Sequence, residues 1–102
     1  MIERQLGVFE EDNIELLRRI EQARRAYQQA GSADAEERFG DYMDLVEEGE
    51  EELLALRDRY ADTMAERERQ RYEREFLRAA RRRMPSLDAR GTYERATGLD
   101  AP

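Results

Sequence analysis

Cysteine, histidine, lysine and tryptophan are absent from these 102 residues, and proline occurs only twice. Without Cys and His, neither a thiol–imidazole pair nor a Ser–His–Asp triad can be assembled. The same gap removes the ligands of structural zinc sites and any disulfide framework. The six glycines are scattered, so no glycine-rich loop is available to cradle a phosphate. Scarce Pro and Gly favour helix over turn-rich β structure. No apolar run approaches the roughly 20 residues that a membrane-spanning helix needs. Met1-Ile2-Glu3-Arg4 leads directly into charged sequence without a secretory apolar core. A cytoplasmic protein with no membrane partner is the expectation. With lysine missing, all 18 basic residues are Arg, for which a GC-rich coding genome is a sufficient reason.

What is present is charge and helical periodicity. Charged residues make up 42% of the chain and hydrophobic ones 39%, enough for one small domain with a thin core. Chains of this kind often complete the core by oligomerising.

Two heptad-like seams run through the sequence. In the first, Ile2, Leu6, Phe9, Asn13, Leu16, Ile20, Ala23, Tyr27 and Ala30 step by four and three, which predicts a helix over residues 1–30 with Gly31 as its stop. In the second, Ala35, Phe39, Tyr42, Val46, Gly49, Leu53, Leu56 and Tyr60 repeat the pattern. Asp34 with Glu37 has the spacing of a capping box at its start, and no proline interrupts before Pro85. Residues 32–84 therefore read as one long helix or two nearly end to end. A short link at Gly31-Ser32 makes the two segments antiparallel neighbours. Folding there sets Tyr27 against Phe39, Ala23 against Tyr42, Leu16 against Gly49 and Leu6 against Tyr60. Asn13 falls on the seam, where a polar residue either fixes register or lies at a solvated edge.

Ile14, Leu17, Met43, Leu45, Leu54 and Met64 flank the seams and widen the apolar face of each helix. A second copy is the expected source of the extra neighbours, giving a four-helix arrangement as a homodimer. The oligomer and core set is then Leu6, Asn13, Leu16, Ile20, Tyr27, Phe39, Tyr42, Val46, Leu53, Leu56 and Tyr60. The first helix is too short to cover the second, and the overhang begins near Thr63. The polar run Ala65–Arg71 is the expected place for a bend or break. These features divide the chain into an antiparallel helical hairpin (1–64), a basic amphipathic helical extension (65–84) and a C-terminal tail (85–102), in which Ser86 is placed to cap a short helical turn.

Charge is segregated along the chain. Residues 32–54 carry one Arg against ten acids, whereas residues 55–84 carry ten Arg against six acids. Glu47-Glu48-Gly49-Glu50-Glu51 resembles the Glu-Glu-x-x-Glu motif by which all-α nucleotide pyrophosphohydrolases of the MazG type hold magnesium. The downstream Glu-x-x-Asp that those enzymes also need is missing, and a solvated acidic face is the simpler reading. No catalytic residues, metal or cofactor are expected. The candidate surface is basic: Arg71, Arg74, Arg78, Arg81 and Arg82, with Tyr72 and Phe76 alongside. Arg pairs bidentately with carboxylate or phosphate, so the stripe suits an acidic protein or a nucleic-acid backbone. The net charge of −7 favours the protein. The expected function is that of a small non-enzymatic helical interaction protein: an adaptor, regulator or assembly factor. Nucleic-acid association and a scaffold of a particle are the alternatives.

Overall fold

The computed structural model describes residues 1–88 and is all-helical. Helix α1 spans Ile2–Asp12, α2 Ile14–Gln28, α3 Ala35–Ala61 and α4 Glu66–Arg83, and the 3-10 turn Pro85–Asp88 follows. No helix among them is long and apolar enough to cross a membrane. Of the tail assigned to residues 85–102, only Pro85–Asp88 falls within the described residues.

The helix expected over residues 1–30 is interrupted at Asn13, whose φ of −120° and ψ of 27° leave the helical range. The Asn13 backbone N–H and its side-chain amide both donate to the Phe9 carbonyl, each at 3.0 Å. A short polar side chain that bonds nearby backbone competes with helix continuation. Asn13 is half-buried, and its observed role is to close α1. The heptad period passes through the interruption unchanged, but the two segments find different neighbours: α2 packs on α3, and α1 packs on α4.

Helix α3 begins where the sequence places it, yet the capping box does not form. Asp34 is the N-cap residue and makes no side-chain cap hydrogen bond. Instead the Asp34 and Ala35 N–H groups donate to the Gly31 carbonyl, both at 3.0 Å, and Glu36 and Glu37 place negative charge in the first turn. At the other end the long helix does break, but over residues 62–65, just before the polar run: residues 66–71 are helical and open α4. Thr63 caps the last turn of α3 by donating its hydroxyl to the Tyr60 carbonyl at 2.7 Å. Ala65, with φ −67° and ψ 153°, is extended and redirects the chain into α4. The overhang therefore returns to the chain's own helices, packing against α1 and α3.

One hydrophobic cluster joins all four helices and the final turn. Leu6 and Phe9 of α1, Ile20 of α2, Tyr42, Val46 and Leu53 of α3, Tyr72, Phe76, Leu77 and Ala80 of α4, and Leu87 are buried in it. Leu16 and Leu56 are partly buried against the cluster. Tyr27, Phe39 and Tyr60, expected in the core, are exposed by 37%, 45% and 43%. Tyr27 does meet Phe39, with ring centroids 5.3 Å apart, and stacks on Tyr42 at 6.5 Å, but this contact lies at the rim. Tyr60 stays outside because α4 now supplies the apolar surface for that end of the core. Gly49 does not take Leu16 as its closest neighbour. A Cβ built there would stand 2.7 Å from a Leu87 methyl and 3.1 Å from Ile20 Cδ1.

Candidate functional site

Helix α4 carries the candidate surface. Its sequence suits a helix at both ends: Glu66 and Glu68 lie in the first turn and Arg81, Arg82 and Arg83 in the last, matching the helix dipole. Glu66 also accepts hydrogen bonds from Arg69 and from Gln70 one turn on. The apolar residues fall on a single face, and that face is wholly consumed by the core. Tyr72 is 5% exposed and Phe76 is fully buried, with their rings 5.8 Å apart.

This corrects the expected composition of the surface. The sequence sets Tyr72 and Phe76 beside the arginines as partner-binding residues, but they face α1 and α3 rather than solvent. The Tyr72 hydroxyl donates to Gln5 Oε1 at 2.6 Å, a contact that links α4 to α1 across 67 positions. Burial raises the Tyr72 phenol to about 12, with the nearby Tyr60 adding to the rise. Gln5 itself is buried and leaves its Nε2 without a hydrogen-bond partner. The first seam gives no hint of this contact, because Gln5 lies one position off it.

The arginines separate into three groups. Arg71, Arg74 and Arg82 are exposed and form no ion pair among the described residues. Arg78 lies between them, half-buried, with its Nε out of water and without an acceptor. Arg81 is half-buried and engaged in the fold. Two further arginines matter. Arg67 is exposed and in no ion pair among the described residues, and its spacing of four from Arg71 extends the stripe by a turn, a signal the sequence does hold. Arg83 reaches α1 and joins Glu3 Oε2 and Glu10 Oε1, each at 2.8 Å. Its hydrogen bonds to the Glu10 and Glu3 carboxylates hold the Arg83 guanidinium above its ordinary value. Arg83 lies outside the basic surface expected from the sequence.

From Arg67 to Arg82 the stripe runs about 22 Å along the helix. Glu75 lies within it and is exposed, whereas Glu73 turns toward Arg57 at 3.8 Å. The surface is thus a row of guanidinium groups broken by one carboxylate. Such a row can accept several carboxylates or phosphates by charge-assisted hydrogen bonds. A groove of about 600 Å³ borders it, lined by Met1, Ile2, Met64, Tyr72 and Arg71 together with the carboxylates Glu3, Glu68 and Glu75.

The acidic half of α3 offers no comparable site. Glu47, Glu48 and Glu51 are exposed, and no group of three carboxylates among the described residues is placed to hold a metal ion. No family model, curated protein or solved structure matches the chain.

Proposed function

We propose that this chain is a non-enzymatic helical interaction protein, an adaptor, regulator or assembly factor, and that it docks an acidic protein segment along the outer face of α4. One observation carries the reading. The apolar face of α4 is spent on the core, while Arg67, Arg71, Arg74 and Arg82 remain exposed along the opposite side without carboxylate partners among the described residues. Exposed arginines without partners are free to pair with an incoming carboxylate at little cost in broken contacts. The exposed acids of α3 repel a polyanion as large as a duplex, which supports a protein partner over nucleic acid. The pairing of α2 with α3 as a coiled-coil-like hairpin, and the assembly of two copies, belong to the same proposal.

The test replaces Arg71, Arg74 and Arg82 together by Gln, which preserves helix propensity and removes charge. An acidic helical peptide, rich in Glu on one face, is titrated against both proteins, and a random DNA duplex is titrated in parallel. Saturable peptide binding at physiological salt that the triple variant loses supports the reading. Duplex binding that persists at physiological salt, with a shallower salt slope in the variant, replaces it with phosphate-backbone recognition. Binding of neither probe, with unchanged melting, reduces the stripe to a solvated face, where ion pairs contribute only about 0–1 kcal/mol each.

A further inference from the structure

On the side of the molecule formed by α1 and α3 lies a groove of about 370 Å³ lined by Val8, Asp12, Asn13, Glu52, Leu56, Arg59 and Tyr60, with Phe9 at its floor. Val8 is 47% and Tyr60 43% exposed there, and Leu56 is half covered. Val8, Leu56 and Tyr60 place uncovered apolar surface in a groove whose lining, Phe9 apart, is otherwise polar. Its charges are equally uncommitted: Asp12, Glu52 and Arg59 share the groove, yet none of the three is in an ion pair among the described residues.

The arrangement along α3 is self-complementary. Glu52, Leu56, Arg59 and Tyr60 fall on one helical face at spacings of four, three and one. A two-fold axis crossing α3 between Ala55 and Leu56 would set Glu52 of one copy opposite Arg59 of the other, and the reverse. The two ion pairs would stand about 10 Å apart. Between them the two Leu56 side chains would meet near the axis, with Tyr60 of each copy beyond the ion pairs. An isologous contact requires this property, because the same patch must satisfy itself after rotation. A partner of a different chemistry would need both an acidic and a basic group at that one spacing; a second copy has them already.

We infer that the α1–α3 groove is the surface through which two copies of this chain pair, antiparallel along α3, with reciprocal Glu52–Arg59 contacts. The inference rests on the two-copy reading above and names the face used; the arginine stripe of α4 stays outside and open to its own partner.

Charge reversal with complementation tests it on the full chain. Light scattering at tens of micromolar should give twice the chain mass for the wild type. Glu52→Arg and Arg59→Glu each create two like-charge contacts across the axis, so each variant alone should dissociate at least tenfold more readily. An equimolar mixture of the two restores both contacts, because two basic groups on one copy then face two acidic groups on the other. It should return to twice the chain mass, as should the double variant, in which each contact is merely reversed in sign. Both side chains are exposed, and an unchanged helical circular dichroism spectrum confirms that each variant is folded. A wild type of single chain mass overturns the two-copy reading and this surface together. A pair that survives both reversals keeps two copies but overturns this surface. Single variants that dissociate and do not recover on mixing overturn the Glu52–Arg59 contact.

Discussion

Leu87 is seated directly over Gly49: a Cβ on Gly49 would come within 2.7 Å of the nearer Leu87 methyl, and Leu87 is fully buried. A helix interior normally disfavours Gly by about 1 kcal/mol relative to Ala. Here the missing side chain makes room for a residue contributed by the turn after α4. Ile20 of α2 closes the same space from the other side. Gly49 thus fastens the end of the described chain onto the middle of α3.

Gly49→Ala is therefore expected to destabilise. The gain in helix propensity is about 1 kcal/mol, and overpacking costs about 1–3 kcal/mol. Leu87→Ala should cost about 2–4 kcal/mol by opening a cavity. In the double variant the added methyl no longer meets Leu87, so the combined loss should fall short of the sum of the two. Urea denaturation of the four proteins measures that coupling. Strict additivity would show that the two residues do not share a space.

Burial of the Tyr72 phenol makes stability depend on alkaline pH. The folded state holds the Tyr72 proton more tightly than the unfolded chain, with a value raised from 10.0 to about 12. Its contribution is fully present below pH 10 and is lost as pH climbs toward 12. Burial raises Tyr42 in the same direction. Melting temperature should fall across that interval, and Tyr72→Phe should flatten the fall. At neutral pH the same change should cost about 1–3 kcal/mol, because Gln5 would keep both polar atoms buried without a partner. Tyr72→Phe combined with Gln5→Leu should recover most of the loss. A neutral-pH stability unchanged by Tyr72→Phe would count against the hydrogen bond.

Arg83→Gln should loosen α1 from the end of α4. The Arg83 and Glu10 side chains are each about one-third exposed and Glu3 two-thirds exposed. Solvent screening therefore keeps the expected loss small. Because part of the effect is Coulombic, the gap between wild type and variant should narrow in 1 M salt, which thermal melts at two ionic strengths would reveal. A gap indifferent to salt would assign the effect to packing of the arginine stem.

The sequence made the helices and much of the core legible, and the reasons differ element by element. Leu6, Ile20, Tyr42, Val46 and Leu53 lie on unbroken seams and are buried as the period demands. That a break falls near the start of the polar run was readable, but its place was not: it lies at residues 62–65, and residues 66–71, though without an apolar face, are helical. The interruption at Asn13 was not, since its cause is a local side-chain-to-backbone bond that leaves the period intact. The direction in which α4 turns was also hidden. Tyr72 and Phe76 satisfy a helical period equally well as core or as surface, and only the return of α4 to α1 decides between them. For the candidate surface the positions of the arginines could be read, whereas their partners could not: Arg83 and Arg82 are adjacent in sequence, yet one clasps α1 and the other faces outward.

That clasp has a consequence for how the protein is made. Glu3 leaves the ribosome first among these groups, and its partner Arg83 follows 80 positions later. At about 5–20 residues per second, α1 waits roughly 4–16 s for the helix that covers it. During that interval Leu6 and Phe9 are exposed on a nascent chain whose α2 and α3 can already pair. Helix α1, made before the other three, is thus among the last to be secured, and Leu87 closes the core only after α4 has arrived. Shortening the chain before Leu87 would leave a protein able to begin folding and unable to finish.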